Sequence, residues 1–251
     1  MNSHAIGFDN AQVVVAELGG TVTKFLAHGA NILFPWQVRG DKVRGGCPLC
    51  VPWFGTSLRG EKKHGYLRDS LPCERLLTPV GTQLDFFLPG TDRYPWSLHC
   101  YTRSMVFQSG VVPEFEISLG IRRMKDRIPG LAPVLPAFHP YFSCGNANTV
   151  EVVVGGKTFR GFAKESRTVP LDGEKNVFIR MPGRVIEMEL LGAFSGGSYN
   201  SQIVLWSDSP NEYVCVEPIL EEKRLFDTAR GRHLDEGERM EELAVRFKVL
   251  K

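Results

Sequence analysis

The sequence has no run that approaches the roughly 18 consecutive apolar residues of a membrane span, and it has no block of like charge. Thirty basic residues against 28 acidic ones leave a net charge of +2, with both signs interspersed. Such a chain lacks the strongly basic face that non-specific nucleic-acid binding needs. It also has no charged tail or polybasic anchor. The nucleotide loops G-x-x-x-x-G-K-[ST] and G-x-G-x-x-G before a helix are missing, as is the nucleophile elbow G-x-S-x-G. No segment keeps helical periodicity over three turns; Leu234 to Glu242 has helix-forming residues, but Gly237 interrupts it. The opening MNSHAIGFDN has neither a basic start nor an apolar stretch, so a cytoplasmic protein is expected rather than a secreted or membrane one.

Disulfides are not expected either. Six cysteines lie at positions 47, 50, 73, 100, 144 and 215, and Cys100 and Cys215 fall inside apolar, strand-like runs. A chain of 251 residues, 43% of them hydrophobic, can build a core without covalent staples. Cys47-Pro48-Leu49-Cys50 has the C-x-x-C spacing. A zinc site would need two further ligands from a second such pair or an H-x-x-x-H, and none is present. A thioredoxin-like motif would open a helix within a β-α-β unit, and no such pattern surrounds it. The expectation is two free thiols in a loop, with no metal and no cofactor.

Twenty-six glycines and 16 prolines punctuate the chain about every ten positions, and short alternating or apolar runs lie between them. Gln12 to Leu18, Thr21 to Ala27, Ala30 to Phe34 and Gln83 to Leu88 read as strands. Ser97 to Phe107 and Glu114 to Arg122 read as a long hairpin, with Phe115, Ile117, Leu119 and Ile121 alternating as on a half-buried strand. Thr149 to Val154, Val185 to Leu190, Ile203 to Trp206, Tyr213 to Val216 and Ala244 to Val249 continue the series. Strands at this spacing predict an all-β sandwich or barrel. With no linker, repeat or low-complexity tract in view, residues 1–251 read as one domain.

The stretch Arg44 to Asp69, RGGCPLCVPWFGTSLRGEKKHGYLRD, has neither helical nor strand periodicity and reads as a long shaped loop. Loops of this length in compact proteins are usually functional. His64 precedes Gly65, which lets the backbone turn and approach a ligand. The bland alternative is a solvated histidine beside Lys62 and Lys63. Arg44 and Arg68 bracket the loop with fixed cations, and Trp53 offers a flat apolar surface. The arginines suit a phosphate, or else pair with Asp41 and Asp69.

Two further residues stand out. His139, in Phe138-His139-Pro140-Tyr141-Phe142, follows a proline-rich apolar stretch that cannot be a helix interior. Held there, an imidazole can titrate near neutrality and give a proton to a substrate oxygen; a core histidine satisfied by backbone fits equally well. Glu217 follows an apolar run, Tyr213 to Val216, and Pro218 is expected to end the strand there. A carboxylate so placed is costly unless paired or functional, and its pKa should rise toward the general-base range. A salt bridge to an arginine is the competing reading. With neither metal cluster nor nucleotide loop, acid–base chemistry on a polar small molecule is the natural class.

The ordered set Arg44-Gly45-Gly46-x-Pro48, Pro52-Trp53-Phe54-Gly55, His64-Gly65-Tyr66-x-Arg68-Asp69, Phe138-His139-Pro140-Tyr141-Phe142 and Cys215-Val216-Glu217-Pro218 resembles the aldose 1-epimerase (galactose mutarotase-like) superfamily. Arg44-Gly45-Gly46 is most similar to its hexose-6-phosphate branch. The resemblance implies a supersandwich of antiparallel sheets with a concave sugar site. It also implies that Glu217 and His139 are catalytic, and that His64, Arg44 and Arg68 bind a sugar or sugar phosphate. The protein would act as a monomer without a cofactor. The family's sugar-binding aspartate has no clear counterpart, with Asp172 as the nearest substitute. A non-catalytic carbohydrate-binding or sugar-sensing domain on the same scaffold is the alternative.

Overall fold

The computed structural model describes residues 2–40, 42–56, 60–109, 111–194, 200–221 and 232–250. Among these residues every helical segment is a short 3-10 turn: Leu18–Gly20, Leu67–Asp69 and Ala147–Thr149. Among the described residues the strands pair antiparallel, apart from two isolated parallel bridges.

The expected hairpin is the longest element. Leu98–Ser109 pairs with Val112–Arg123 from Leu98↔Arg123 to Ser109↔Val112. Phe115, Ile117, Leu119 and Ile121 all face inward, as their alternation requires. Around this hairpin a nine-stranded sheet forms. From one edge it runs Lys157–Phe159, Glu151–Val154, Asn176–Met181, Arg184–Gly192, Leu243–Leu250, Val112–Arg123, Leu98–Ser109, Gly81–Leu88 and Glu74–Thr78. The strand latest in sequence therefore lies in the middle, pairing with Arg184–Gly192 on one side and Val112–Arg123 on the other.

A second, six-stranded sheet carries the site. Its order is Arg167–Pro170, Gln202–Trp206, Tyr213–Ile219, Ala137–Phe138 and Leu49–Cys50, with Tyr141–Ser143 also paired to Tyr213–Ile219. A four-stranded sheet, Ser3–Phe8, Ala11–Ala16, Val22–Ala27 and Ala30–Asn31, comes from the first strand runs. One continuous cluster of buried apolar side chains runs from Ile6 to Val249 and draws on all three sheets. Removing that much apolar surface from water is what drives such a fold.

Three expectations change. The run from Ala30 to Phe34 is a strand only over Ala30–Asn31. Trp53 is not a surface for a ligand: it is fully buried, with its indole N–H donated to the Lys62 carbonyl. A bulky ring beneath the loop gains more from core packing than from exposure. Pro218 does not end its strand, which continues to Ile219.

Candidate functional site

The reason that Pro218 is tolerated locates the site. Tyr213–Ile219 pairs Cys215 with Tyr141 and Ile219 with Ala137. Between those pairs the ladder is open, and the missing N–H of Pro218 falls in the opening. The positions midway between the flanking pairs are Glu217 and His139. They face each other across the gap, with His139 Nε2 3.6 Å from Glu217 Oε1. Directly opposed side chains leave the same face of a sheet. On the other side Val204 and Trp206 pair with Glu217 and Cys215. Val204, Trp206, Tyr141, His139 and Glu217 accordingly share one face, and all five line a cleft of about 740 Å³.

Both members of the pair are buried, and among the described residues His139 Nδ1 and Glu217 Oε2 have no hydrogen-bond partner. Desolvation acts against the charged form of each. It raises the Glu217 carboxyl well above the usual carboxylate range. It lowers His139 to about 3, with smaller contributions from the Arg68, Lys63 and Arg44 charges. The His139 ring is held flat against Tyr141, with centroids 4.7 Å apart and planes at 9°. Its backbone N–H donates to the Pro48 carbonyl at 3.0 Å.

The loop that begins at Arg44 forms the opposite wall. His64 is buried rather than solvated, at φ +65°. Its Nδ1 accepts a hydrogen bond from the Gly55 amide at 3.0 Å, and its own amide donates to the Gly55 carbonyl at 2.7 Å. Accepting through Nδ1 places the ring proton on Nε2. The ring lies edge-on to His139 with centroids 5.2 Å apart. Gly65 follows at φ +69°, where an added Cβ would fall 2.0 Å from the Val51 carbonyl oxygen.

Cations outnumber anions around the rim. Lys42, Arg44, Lys62, Lys63, Arg68 and Lys164 line the cleft, against Asp69, Asp208 and Glu217. Lys62 is engaged by Asp69 at 2.6 Å and Arg44 by Asp208 at 2.5 Å. Arg44 also covers the Trp206 ring at 5.4 Å, and Asp208 accepts a further hydrogen bond from the Tyr213 hydroxyl. Lys42, Lys63, Arg68 and Lys164 have no ion-pair partner among the described residues.

Solved structures of low sequence identity match this chain over nearly its whole length. A galactose mutarotase-like protein from Lactobacillus casei superposes with a TM-score of 0.75 at 12% identity, covering 99% of this chain and 100% of that one. A galactose mutarotase related enzyme from Lactobacillus acidophilus gives 0.75 at 13%, covering 98% and 97%. The fold is galactose mutarotase-like. The galactose 1-epimerase of Lactobacillus acidophilus NCFM matches at 0.71 and 14%, covering 99% and 94%. No protein-family sequence model and no curated protein sequence matches the chain.

On this galactose mutarotase-like scaffold the five residues singled out in the sequence, His139, Glu217, His64, Arg44 and Arg68, all line the same cleft. Arg44 pairs with Asp208, and Lys62 rather than Arg68 holds Asp69. Asp41 lies outside the described residues. Asp172 does not reach the cleft; it is an exposed turn residue at φ +51°. Asp208, Tyr141, Lys42 and Lys164 were missed as lining residues. The alternation of Leu205-Trp206-Ser207-Asp208 placed Trp206 and Asp208 on one face and was the available signal for Asp208. The lysines lie on separate segments and gave none. The six cysteines are free thiols.

Proposed function

We propose that this protein is an aldose 1-epimerase that interconverts the α and β anomers of a hexose 6-phosphate or closely similar anionic sugar. The observation that carries the reading is the opposed pair His139 and Glu217, 3.6 Å apart at the base of a cleft large enough for a sugar. Ring opening needs one group to take the proton of the anomeric hydroxyl and another to give one to the ring oxygen. Burial favours keeping a single proton on the empty pair, on Glu217 beside a neutral imidazole. Moving that proton to His139, as sugar hydroxyls enter and solvate the charged forms, makes Glu217 the base and His139 the acid.

In the reaction Glu217 removes the O1 proton while His139 protonates the ring oxygen, and the C1–O5 bond breaks to leave an aldehyde. Rotation about C1–C2 presents the other carbonyl face. Reclosure returns both protons with the roles reversed, so each step balances within the pair. His64 donates from Nε2 to a sugar oxygen. Arg68, Lys63, Lys42 and Lys164 attract and hold the phosphate. Arg44, already held by Asp208, keeps the rim and the Trp206 ring in place and offers what remains of its charge.

The test is anomer exchange by saturation-transfer NMR on glucose 6-phosphate, glucose and galactose, against the spontaneous rate. Glu217→Gln should lower catalysed exchange by ~100-fold or more while sugar binding, followed by calorimetry, persists. Binding by the wild type without exchange above background would make the protein a sugar-binding module instead. Exchange of neutral sugars alone would remove the phosphate from the reading.

A further inference from the structure

Cys215 precedes Glu217 by two positions on Tyr213–Ile219, so both side chains leave the same face of the strand. The proton relay makes no use of this thiol. Cys215 packs behind the acid–base pair against Tyr141 and Tyr213, and it is fully buried. A ring nitrogen of His139, the Cys215 sulfur and a Glu217 carboxylate oxygen all lie within 4.8 Å of one another. His139 Nδ1 and Glu217 Oε2 are buried without hydrogen-bond partners among the described residues.

Imidazole, thiolate and carboxylate are the three ligand types of zinc-class ions. Bonds of about 2.0–2.3 Å in a tetrahedron set the ligand atoms roughly 3.3–3.6 Å apart. The His139 Nε2–Glu217 Oε1 separation of 3.6 Å already has that value, and the sulfur, within 4.8 Å of its partners' ligand atoms, needs to close by at most about 1.5 Å to complete a tetrahedral face. An ion also has a way in, because His139 and Glu217 line the cleft. We propose that His139, Cys215 and Glu217 form a binding site for a borderline-soft divalent cation of the zinc class, with its fourth position open to the cleft. The thiolate selects Zn²⁺, Co²⁺ or Cd²⁺ over the oxygen-seeking Mg²⁺ and Ca²⁺. A bound ion occupies the nitrogen and the oxygen that the proton relay uses, so it inhibits anomer exchange. That inhibition rests on the epimerase reading; the binding does not.

Chelator-treated protein titrated with Co²⁺ tests the site. The expected result is one ion per chain with visible d–d bands and a near-ultraviolet sulfur-to-cobalt band. The sulfur band should vanish in Cys215→Ser and survive in Cys50→Ser, since Cys50 is the buried thiol that instead contacts His64. A sulfur band that persists in Cys215→Ser, or none in the wild type, overturns the proposal. Should Cys215→Ser fail to fold, X-ray absorption on zinc-loaded wild type decides. One sulfur near 2.3 Å with nitrogen and oxygen near 2.0 Å supports the site; no sulfur, or two or more, refutes it. Zn²⁺ should also abolish catalysed anomer exchange, with recovery on chelation. A protein with no exchange activity under any condition would fail the epimerase reading while the cobalt spectrum still decides the site.

Discussion

Burial pushes the two groups of the cross-strand pair in opposite directions, and each direction has its own consequence for stability. His139 titrates near 3 in the folded protein against about 6.5 in an unfolded chain. Its neutral form contributes stability that is present above pH ~6.5 and is lost as pH falls through about 3. Glu217 is raised instead. Its contribution is complete below the unfolded value of about 4.3 and is lost as pH rises through the elevated folded value. Glu217→Gln should therefore gain on the wild type as pH climbs above ~4.5, and His139→Gln should lose less than the wild type between pH ~6.5 and 3. Denaturant midpoints across the pH range check both. Curves that run parallel to the wild type would mean that burial does not govern these groups. The same desolvation destabilises the charged form of each group, so a proton is held less firmly on His139 and more firmly on Glu217 until a polar substrate enters.

At the scale of the element, the loop wall depends on two consecutive left-handed residues, His64 and Gly65. Gly65→Ala would drive a methyl to 2.0 Å from the Val51 carbonyl oxygen, so the backbone must move and His64 with it. The expected loss is ~2 kcal/mol or more of stability, with weaker sugar binding than in a surface Gly→Ala control such as Gly156→Ala. Thermal melts and calorimetry on the two variants make the comparison. An unchanged melt for Gly65→Ala would show that the loop yields cheaply. Most of this architecture was legible beforehand, because alternation in Phe115 to Ile121 and the glycine and proline punctuation are local signals. His139 and Glu217 also stood out, since each is a polar group set among apolar neighbours. Their opposition was not legible. It depends on how Tyr141–Ser143 and Ala137–Phe138 register against one strand, and register between distant segments leaves no mark in either. Pro218 was misread for the same reason: the rule that proline ends a ladder assumes a ladder on both sides, and here one side is open.

For the molecule as a whole, a net charge of +2 hides a local excess of positive charge around the cleft. Such an excess focuses the field on an incoming anion and is screened within about 8–10 Å at physiological salt. The kcat/KM for a sugar phosphate should fall as ionic strength rises, whereas that for a neutral sugar should change little. Arg68→Ala together with Lys63→Ala should flatten the phosphate curve. Equal salt dependence for both sugars would assign the rim charges to something other than substrate capture. The nine-stranded sheet has a consequence of another kind. Leu243–Leu250 bridges Arg184–Gly192 and Val112–Arg123, and it follows both of them in sequence. While the chain emerges from a ribosome, the earlier strands can form only two separate ribbons, each with a bare apolar inner edge. The sheet becomes continuous only when this late strand slots between them, so the nascent protein stays sticky until Leu243–Leu250 has been made.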